Sequence, residues 1–184
     1  MAHIITLSGM LGSGKSTLAK MLARALGYDY YSTGSAQREI ARKRGLTTLE
    51  LNELAETDPS IDQQIDGVFK TLTARGENLV VDSRLAFFFI PDSFKVKLNV
   101  RPETAGQRVF NDARRTNERK YASAAEATEA LLSRRALERR RWQKIYGVDI
   151  DDDARFDCVI DTTDRTPEQV CAAIVDKFKL FQAR

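Results

Sequence analysis

The chain has 184 residues, 42% of them apolar, which is enough for one packed domain with a real core and too short for two comfortable ones. Its 29 basic and 26 acidic residues leave a net charge of +3, so a generic basic coat for nucleic acid is not implied. The lone histidine, His3, and two isolated cysteines, Cys158 and Cys171, argue against a histidine triad, a multi-histidine metal site and a disulfide scaffold, and the cysteines read as reduced core residues.

From the N-terminus, the run from His3 to Ser8 is short, apolar and β-branched, as a buried parallel strand is. Leu18, Met21, Leu22 and Ala25 then follow helical spacing, and Gly27 stands where a helix ends. A second strand covers Tyr28 to Tyr31. Asp58 and Pro59 open a helix whose face is Ile61, Ile65, Val68 and Leu72 and which Gly76 closes. Strands follow at Asn78 to Asp82, Lys95 to Val100 and Phe156 to Asp161. Between the last two, Ser123 with Glu126 forms a capping box for a helix running to about Lys144. Thr166, Pro167 and Gln169 start the final helix, with Val170, Ile174, Phe178 and Phe181 on its inner face. Strands alternating with helices predict an α/β domain built on a parallel sheet. The longest apolar uncharged run, Leu85 to Pro91, is far short of the roughly 20 residues of a membrane helix, and no basic residue precedes the first strand as a secretory signal requires. The expectation is a soluble cytoplasmic protein with no membrane partner.

Between the first strand and first helix, Gly9-Met10-Leu11-Gly12-Ser13-Gly14-Lys15-Ser16 matches G-x-x-x-x-G-K-[ST]. Glycines let successive backbone N–H groups turn inward on a phosphate, and the helix that starts with Lys15, Ser16 and Thr17 adds its positive end. Lys15 is then expected on the β- and γ-phosphates of a nucleotide and the Ser16 hydroxyl on Mg²⁺. Asp82, at the end of a central strand, is placed to hold the metal's hydration shell. It is followed by Ser83 and Arg84 rather than a second acid, and no Asn-Lys-x-Asp segment is present to read guanine. A hydrolase or a GTP switch therefore fits less well than a kinase.

A transferring phosphoryl group needs its charge neutralised on both sides, and arginine does this without losing its proton. Arg38, one turn after Ser32-Thr33-Gly34-Ser35, and Arg84 both follow strand ends that face one crevice. Arg134 and Arg141 are seven residues apart on the long helix, which returns them to one face about 10 Å apart. The segment from Arg101 to Lys144 carries a local charge of +6 against −3 elsewhere, so a solvated basic face or an RNA-binding surface is the competing reading. Only Trp142 lies among these basic residues as a stacking aromatic.

The whole pattern resembles the nucleoside monophosphate kinases, most closely the short archaeal-type cytidylate kinases, over nearly the entire chain. The residues that carry the resemblance are Gly9 to Thr17, Ser32-Thr33-Gly34 with Arg38-Glu39, Arg84-Leu85-Ala86, Arg134, Arg141 and the distinctive tract Ile145-Tyr146-Gly147-Val148-Asp149-Ile150-Asp151-Asp152. The resemblance implies a three-layer α/β/α P-loop NTPase fold with a five-stranded parallel sheet. It implies an acceptor-binding segment near residues 33–75 and a lid near residues 111–123 carrying Arg114, Arg115 and Arg119. It further implies a monomer that transfers the γ-phosphate of Mg·ATP to CMP or dCMP in pyrimidine nucleotide metabolism. Arg38 and Arg84 would seat the acceptor phosphate, and Arg134 and Arg141 would line the transfer site. Similar kinases often carry Gly at the position of Ser83 and again after Arg-Leu-Ala. Here Phe87, Phe88 and Phe89 follow, which either fill core or reshape the acceptor-base pocket. A kinase for another small acceptor is the alternative.

Overall fold

The computed structural model describes residues 3–112 and 120–183. Five strands, β1 (Ile4–Gly9), β2 (Asp29–Ser32), β3 (Leu79–Asp82), β4 (Phe94–Asn99) and β5 (Cys158–Asp161), form one parallel sheet in the order β2-β3-β1-β4-β5. All five lie within a residue or two of the expected runs. With β1 at the centre and β3 and β4 on either side, the chain reverses winding direction at β1, so the crevice at the strand C-termini opens where the phosphate-loop motif leaves it.

Helices cover both faces. On one side α1 (Lys15–Leu26) and α9 (Pro167–Gln182) bury Leu18, Leu22, Ile174 and Phe178 against Ile5, Leu7, Val96 and Leu98. Gly27 ends α1 in the left-handed region at φ +68°, and α9 starts on a complete Thr166–Gln169 capping box. Cys158 and Cys171 lie in this core as free thiols. Fully burying a side chain such as Phe178 stabilises by roughly 2–3 kcal/mol, so this layer fixes the sheet that the site depends on.

The remaining helices are α2 (Thr33–Lys43), α3 (Thr48–Leu54), α4 (Pro59–Asp66), α5 (Val68–Ala74), α6 (Ala86–Phe89), α7 (Pro102–Phe110) and the long α8 (Ala124–Tyr146), with α5 and α6 packed on the opposite face against Leu79 and Val81. The helix expected to run from Pro59 to Gly76 is two. Gly67 caps α4 through its N–H to the Gln63 carbonyl, and α5 begins at the next residue. Ile61 and Ile65 consequently pack with Ala41, Leu51 and Ala55, while Phe69 and Leu72 pack on β3 and α6. The Ser123 hydroxyl accepts the Glu126 N–H as expected, but the Glu126 carboxylate takes the N–H of Ala122, so the reciprocal half of the box closes one residue earlier. Phe87 is core, packed with Leu85, Trp142, Val148 and Ile150; Phe89 stacks on Phe69; Phe88 stays partly exposed beside Tyr146.

Candidate active site

The loop between β1 and α1 is pressed between neighbours that leave no room for side chains. A Cβ at Gly9, whose φ is +138°, would lie 2.4 Å from the Leu98 carbonyl of β4, and one at Gly12 would lie 2.6 Å from that of Ala105 in α7. Arg108 of α7 donates to the Gly12 carbonyl at 3.3 Å, and Thr162, just past β5, donates to that of Ser13 at 3.1 Å. These two anchors, neither singled out from sequence, hold the loop from outside. No side chain caps the N-terminus of α1, so its amides face the crevice.

Lys15 Nζ donates to the carbonyls of Gly9 at 2.6 Å and Met10 at 2.8 Å, within the loop. Burial pushes this ammonium down to about 8, with Asp82 opposing the shift and Arg84 adding to it. Ser16 Oγ lies 2.5 Å from Asp82 Oδ2, so the two groups expected near the metal are adjacent. Tyr30 and Ser32 hydroxyls approach the same carboxylate oxygen at 3.4 Å, and Thr33 donates to the Asp82 carbonyl. Asp82 is thus fixed by strand β3 and by hydroxyls from β2 and its end. Hard oxygen donors at the mouth of a phosphate loop suit Mg²⁺, which binds through few protein ligands and keeps several waters. Ser16 and Asp82, adjacent at this mouth, are the protein groups that could hold it.

Across the crevice stands a carboxylate that the sequence reading missed. Glu138 of α8 is buried; its oxygens take both a very short contact from Arg84 Nη1 and a 2.9 Å hydrogen bond from Arg134 Nε. Burial opposes its charge, but Arg84, Arg134 and Arg141 outweigh that and hold it below the usual glutamate range. Arg84 is itself pulled down by burial and supported by Glu138, while its guanidinium lies 5.6 Å from the Trp142 ring centre. A cleft of about 410 Å³ runs past Gly9, Met10, Arg84, Lys97, Arg134 and Glu138.

The arginines of α8 separate into groups. Arg134 turns toward Glu138 and the loop. Arg141 turns away from it: its guanidinium reaches the Asn52 carbonyl and Glu56 of the α3 region at 3.1 Å and Asp62 of α4 at 3.2 Å. Of the two arginines expected to line one transfer site, Arg134 lies beside the loop and Glu138, and Arg141 lies against α3 and α4. Arg135 and Arg139 are tied to Asp151 and Asp149 of the tract after α8, which Lys97 also grips through the Asp151 carbonyl at 2.9 Å and Asp153 at 2.6 Å. That tract takes up the surplus charge of α8 and leaves Arg134 beside the crevice. Arg38 is exposed on α2, bonded to Ser35 at 3.0 Å, with Ser32, Thr33 and Gly34 opening its helix. Arg114, Arg115 and Arg119 lie outside the described residues, as does most of the expected lid.

Comparison with known proteins bears on family and fold. The model of the cytidylate kinase-like family matches residues 4–164. A cytidylate kinase from Aeropyrum pernix is 38% identical over 92% of this chain and 95% of its own. An S-adenosylmethionine-dependent nucleotide dehydratase from Lacinutrix mariniflava is also 38% identical over 97% of this chain, which spans only 36% of that larger protein. Among solved structures, a shikimate kinase from Acinetobacter baumannii in complex with shikimate superposes with a TM-score of 0.62 at 20% identity, over 100% of this chain and 97% of that one, which speaks for the fold alone. No helix among the described residues is long and apolar enough to cross a membrane. With the phosphate loop, the strand-end carboxylate and a family match over most of its length, the chain belongs to the cytidylate kinase-like family of nucleoside monophosphate kinases.

Proposed function

We propose that the protein transfers the γ-phosphoryl group of ATP to CMP or dCMP, giving ADP and the nucleoside diphosphate by direct in-line displacement. The observation that carries this reading is the pairing of a complete phosphate loop with a second, arginine-lined anion site around Arg84 and Arg134, a few residues from it in space and built by different elements. Residues 33–75, which hold α2 to α5, serve as the acceptor segment, and residues 111–123 as the lid.

The loop amides from Gly9 to Thr17 and Lys15 hold the donor phosphates, with Lys15 exchanging the Gly9 and Met10 carbonyls for phosphate oxygens. Ser16 and Asp82 would hold Mg²⁺, which when bound neutralises charge on the donor phosphates. Arg84 seats the acceptor phosphate and Arg38 closes on it from α2, after Ser32, Thr33 and Gly34. Arg134 stabilises the transferring group. An acceptor phosphate oxygen forms a bond to the γ-phosphorus as the bond to the β–γ bridging oxygen breaks. The enzyme's contribution is positioning and charge neutralisation, with no covalent intermediate. A lid that closes over the reactants excludes water and suppresses hydrolysis.

The curated relatives named for cytidylate, and the larger one named for a nucleotide substrate, support a nucleotide acceptor. The test compares CMP, dCMP, UMP, AMP, shikimate and gluconate as acceptors in one coupled ADP-release assay. We expect CMP and dCMP to give the highest kcat/KM; faster turnover with a non-nucleotide acid would replace this reading by a kinase for another small acceptor.

A further inference from the structure

Lys97 is a buried cation that the transfer chemistry above leaves without a task. Along β4, Phe94, Val96 and Leu98 point into the layer of α1 and α9, so alternation sends Lys97 to the opposite face, in register with Ser8, the residue before the phosphate loop. It is 4% exposed and lines the same cleft as Arg84, Arg134 and Glu138. Its ammonium donates to the Asp151 carbonyl at 2.9 Å and to Asp153 Oδ1 at 2.6 Å, and lies 5.5 Å from the centre of the Phe156 ring. An apolar side chain would fill that slot without the desolvation cost of a charge, so stability alone gives no reason for a lysine here.

What the lysine holds is the tract between α8 and β5, and the tract in turn holds α8. Asp151 takes a short hydrogen bond from Arg135, and Asp149 takes two from Arg139, at 3.0 and 2.7 Å, while Asp149 Oδ1 also accepts the Asp151 N–H at 2.9 Å. Arg135 and Arg139 stand one turn apart on one face of α8, and Arg134 and Glu138 stand one turn apart on the face next to it. Apolar packing does not fix the rotation of the helix at this level: between Leu131 and Trp142 its buried side chains are Glu138 and Arg141, both charged. The aim of Arg134 toward the crevice therefore depends on the neighbouring face being tied down, and Lys97 is the side chain through which that tie reaches β4.

We infer that Lys97 is a positioning residue for phosphoryl transfer, acting through the tract and Arg135 on the placement of Arg134. The inference rests on the phosphoryl-transfer reading and adds to it a residue outside the nucleotide contacts. Without the ammonium, the Asp151 carbonyl and Asp153 turn to water, the tract loosens from β4, and α8 loses its stop against rotation. Arg134 then loses alignment with the group in flight. Both substrates still bind, because the phosphate loop rests on Arg108 and Thr162 and Arg84 rests on Glu138. A misplacement of about 1 Å costs up to about a hundredfold in rate. The loss is read in kcat, because the contact it weakens belongs to the transition state.

The test compares the wild type, Lys97→Met, Arg134→Gln and the double variant, with thermal melting of each and with whichever acceptor of the panel above the wild type turns over fastest. Methionine keeps roughly the length of the lysine stem and carries no charge. Lys97→Met is expected to melt near the wild type and to lose about tenfold in kcat with both KM values within about twofold, and Arg134→Gln to lose about a hundredfold. The double variant should be no more than about threefold slower than Arg134→Gln alone, because a residue that works through another has nothing left to place. Losses that multiply to about a thousandfold mean that Lys97 acts elsewhere and overturn the inference, as does an unchanged kcat or a loss confined to KM. If Lys97→Met does not fold, Arg135→Met cuts the same tie at a partly exposed position. It must then show the same kcat loss and the same lack of additivity with Arg134→Gln; full activity or multiplying losses overturn the inference. A fastest acceptor other than CMP or dCMP corrects the proposed function and leaves these comparisons as they are, so the two readings fail separately.

Discussion

The two ends of the crevice are built on different principles. At the donor end, β1, α1 and β3 supply a continuous loop whose polar groups are backbone amides and carbonyls, braced by Arg108 and Thr162 and by the crowding at Gly9 and Gly12. At the acceptor end, the end of β3, the α3–α4 region and α8 meet through polar side chains: Arg84 and Arg134 on Glu138, Arg141 on Glu56 and Asp62, Tyr146 on Asp66. A backbone cradle binds any triphosphate chain of the right shape. A set of buried ion pairs holds its place only while the charges balance, so the arrival of another anion rearranges it. The donor end is thus suited to a common reactant and the acceptor end to a chosen one.

The largest effect expected from this contrast is at Lys15. Lys15→Ala leaves the amides in place but removes the only charged side chain of the loop, and kcat should fall about 10³-fold with the fold intact by circular dichroism. Retained turnover would take the loop out of the chemistry. Arg84 should split the two substrates. Arg84→Lys keeps a charge for Glu138 but loses the fork, and kcat/KM for the acceptor should drop about 30-fold while the KM for ATP hardly moves. Arg84→Ala should do the same and also cost on the order of 3 kcal/mol in stability, since Glu138 stays buried with Arg134 as its nearest cation. Equal losses for both nucleotides in the lysine variant would erase the distinction between the ends.

The same division decides what the sequence discloses. The donor end is contiguous: eight residues with three glycines, a strand before and a helix after, and a carboxylate closing a neighbouring strand. The inner strands β1, β3 and β4 are visible as apolar runs because they are buried on both faces, while the edge strands β2 and β5 are only partly covered. The acceptor end is spread over four stretches that meet only in space. Glu138 and Arg141 sit in α8 among residues charged on nearly every side, so no apolar stripe tells which face is inward, and both are buried by pairing rather than by hydrophobicity. Asp62 hides within the apolar face of a helix that the sequence shows as longer than it is. The one signal that could have found Glu138 is its spacing: four residues after Arg134 and three before Arg141, it must share their face. The α3 helix, with its Thr47–Glu50 capping box, was equally open to reading and equally passed over.

The smallest expected effect tests whether the acceptor end is held at a cost. Asp66, at the end of α4, accepts a short hydrogen bond from the Tyr146 hydroxyl at the end of α8, joining the acceptor segment to the long helix. Burial pushes its carboxyl up to about 6; the Tyr146 hydrogen bond opposes the shift, Asp62 adds to it and Arg141 opposes it. A carboxyl raised from 3.8 to about 6 binds its proton more tightly when folded, so its contribution is complete below pH 4 and is lost as pH rises through about 6. At pH 8 the wild type therefore carries the full penalty of an ionised Asp66. Asp66→Asn retains an acceptor for Tyr146 and carries no charge, and it should match the wild type in urea at pH 4 yet exceed it at pH 8 by on the order of 2 kcal/mol. A variant weaker by the same amount at both pH values would mean that the hydrogen bond matters and the buried charge does not. In that case the acceptor end would be as firmly held as the donor end, and the contrast between them would rest on Arg84 and Glu138 alone.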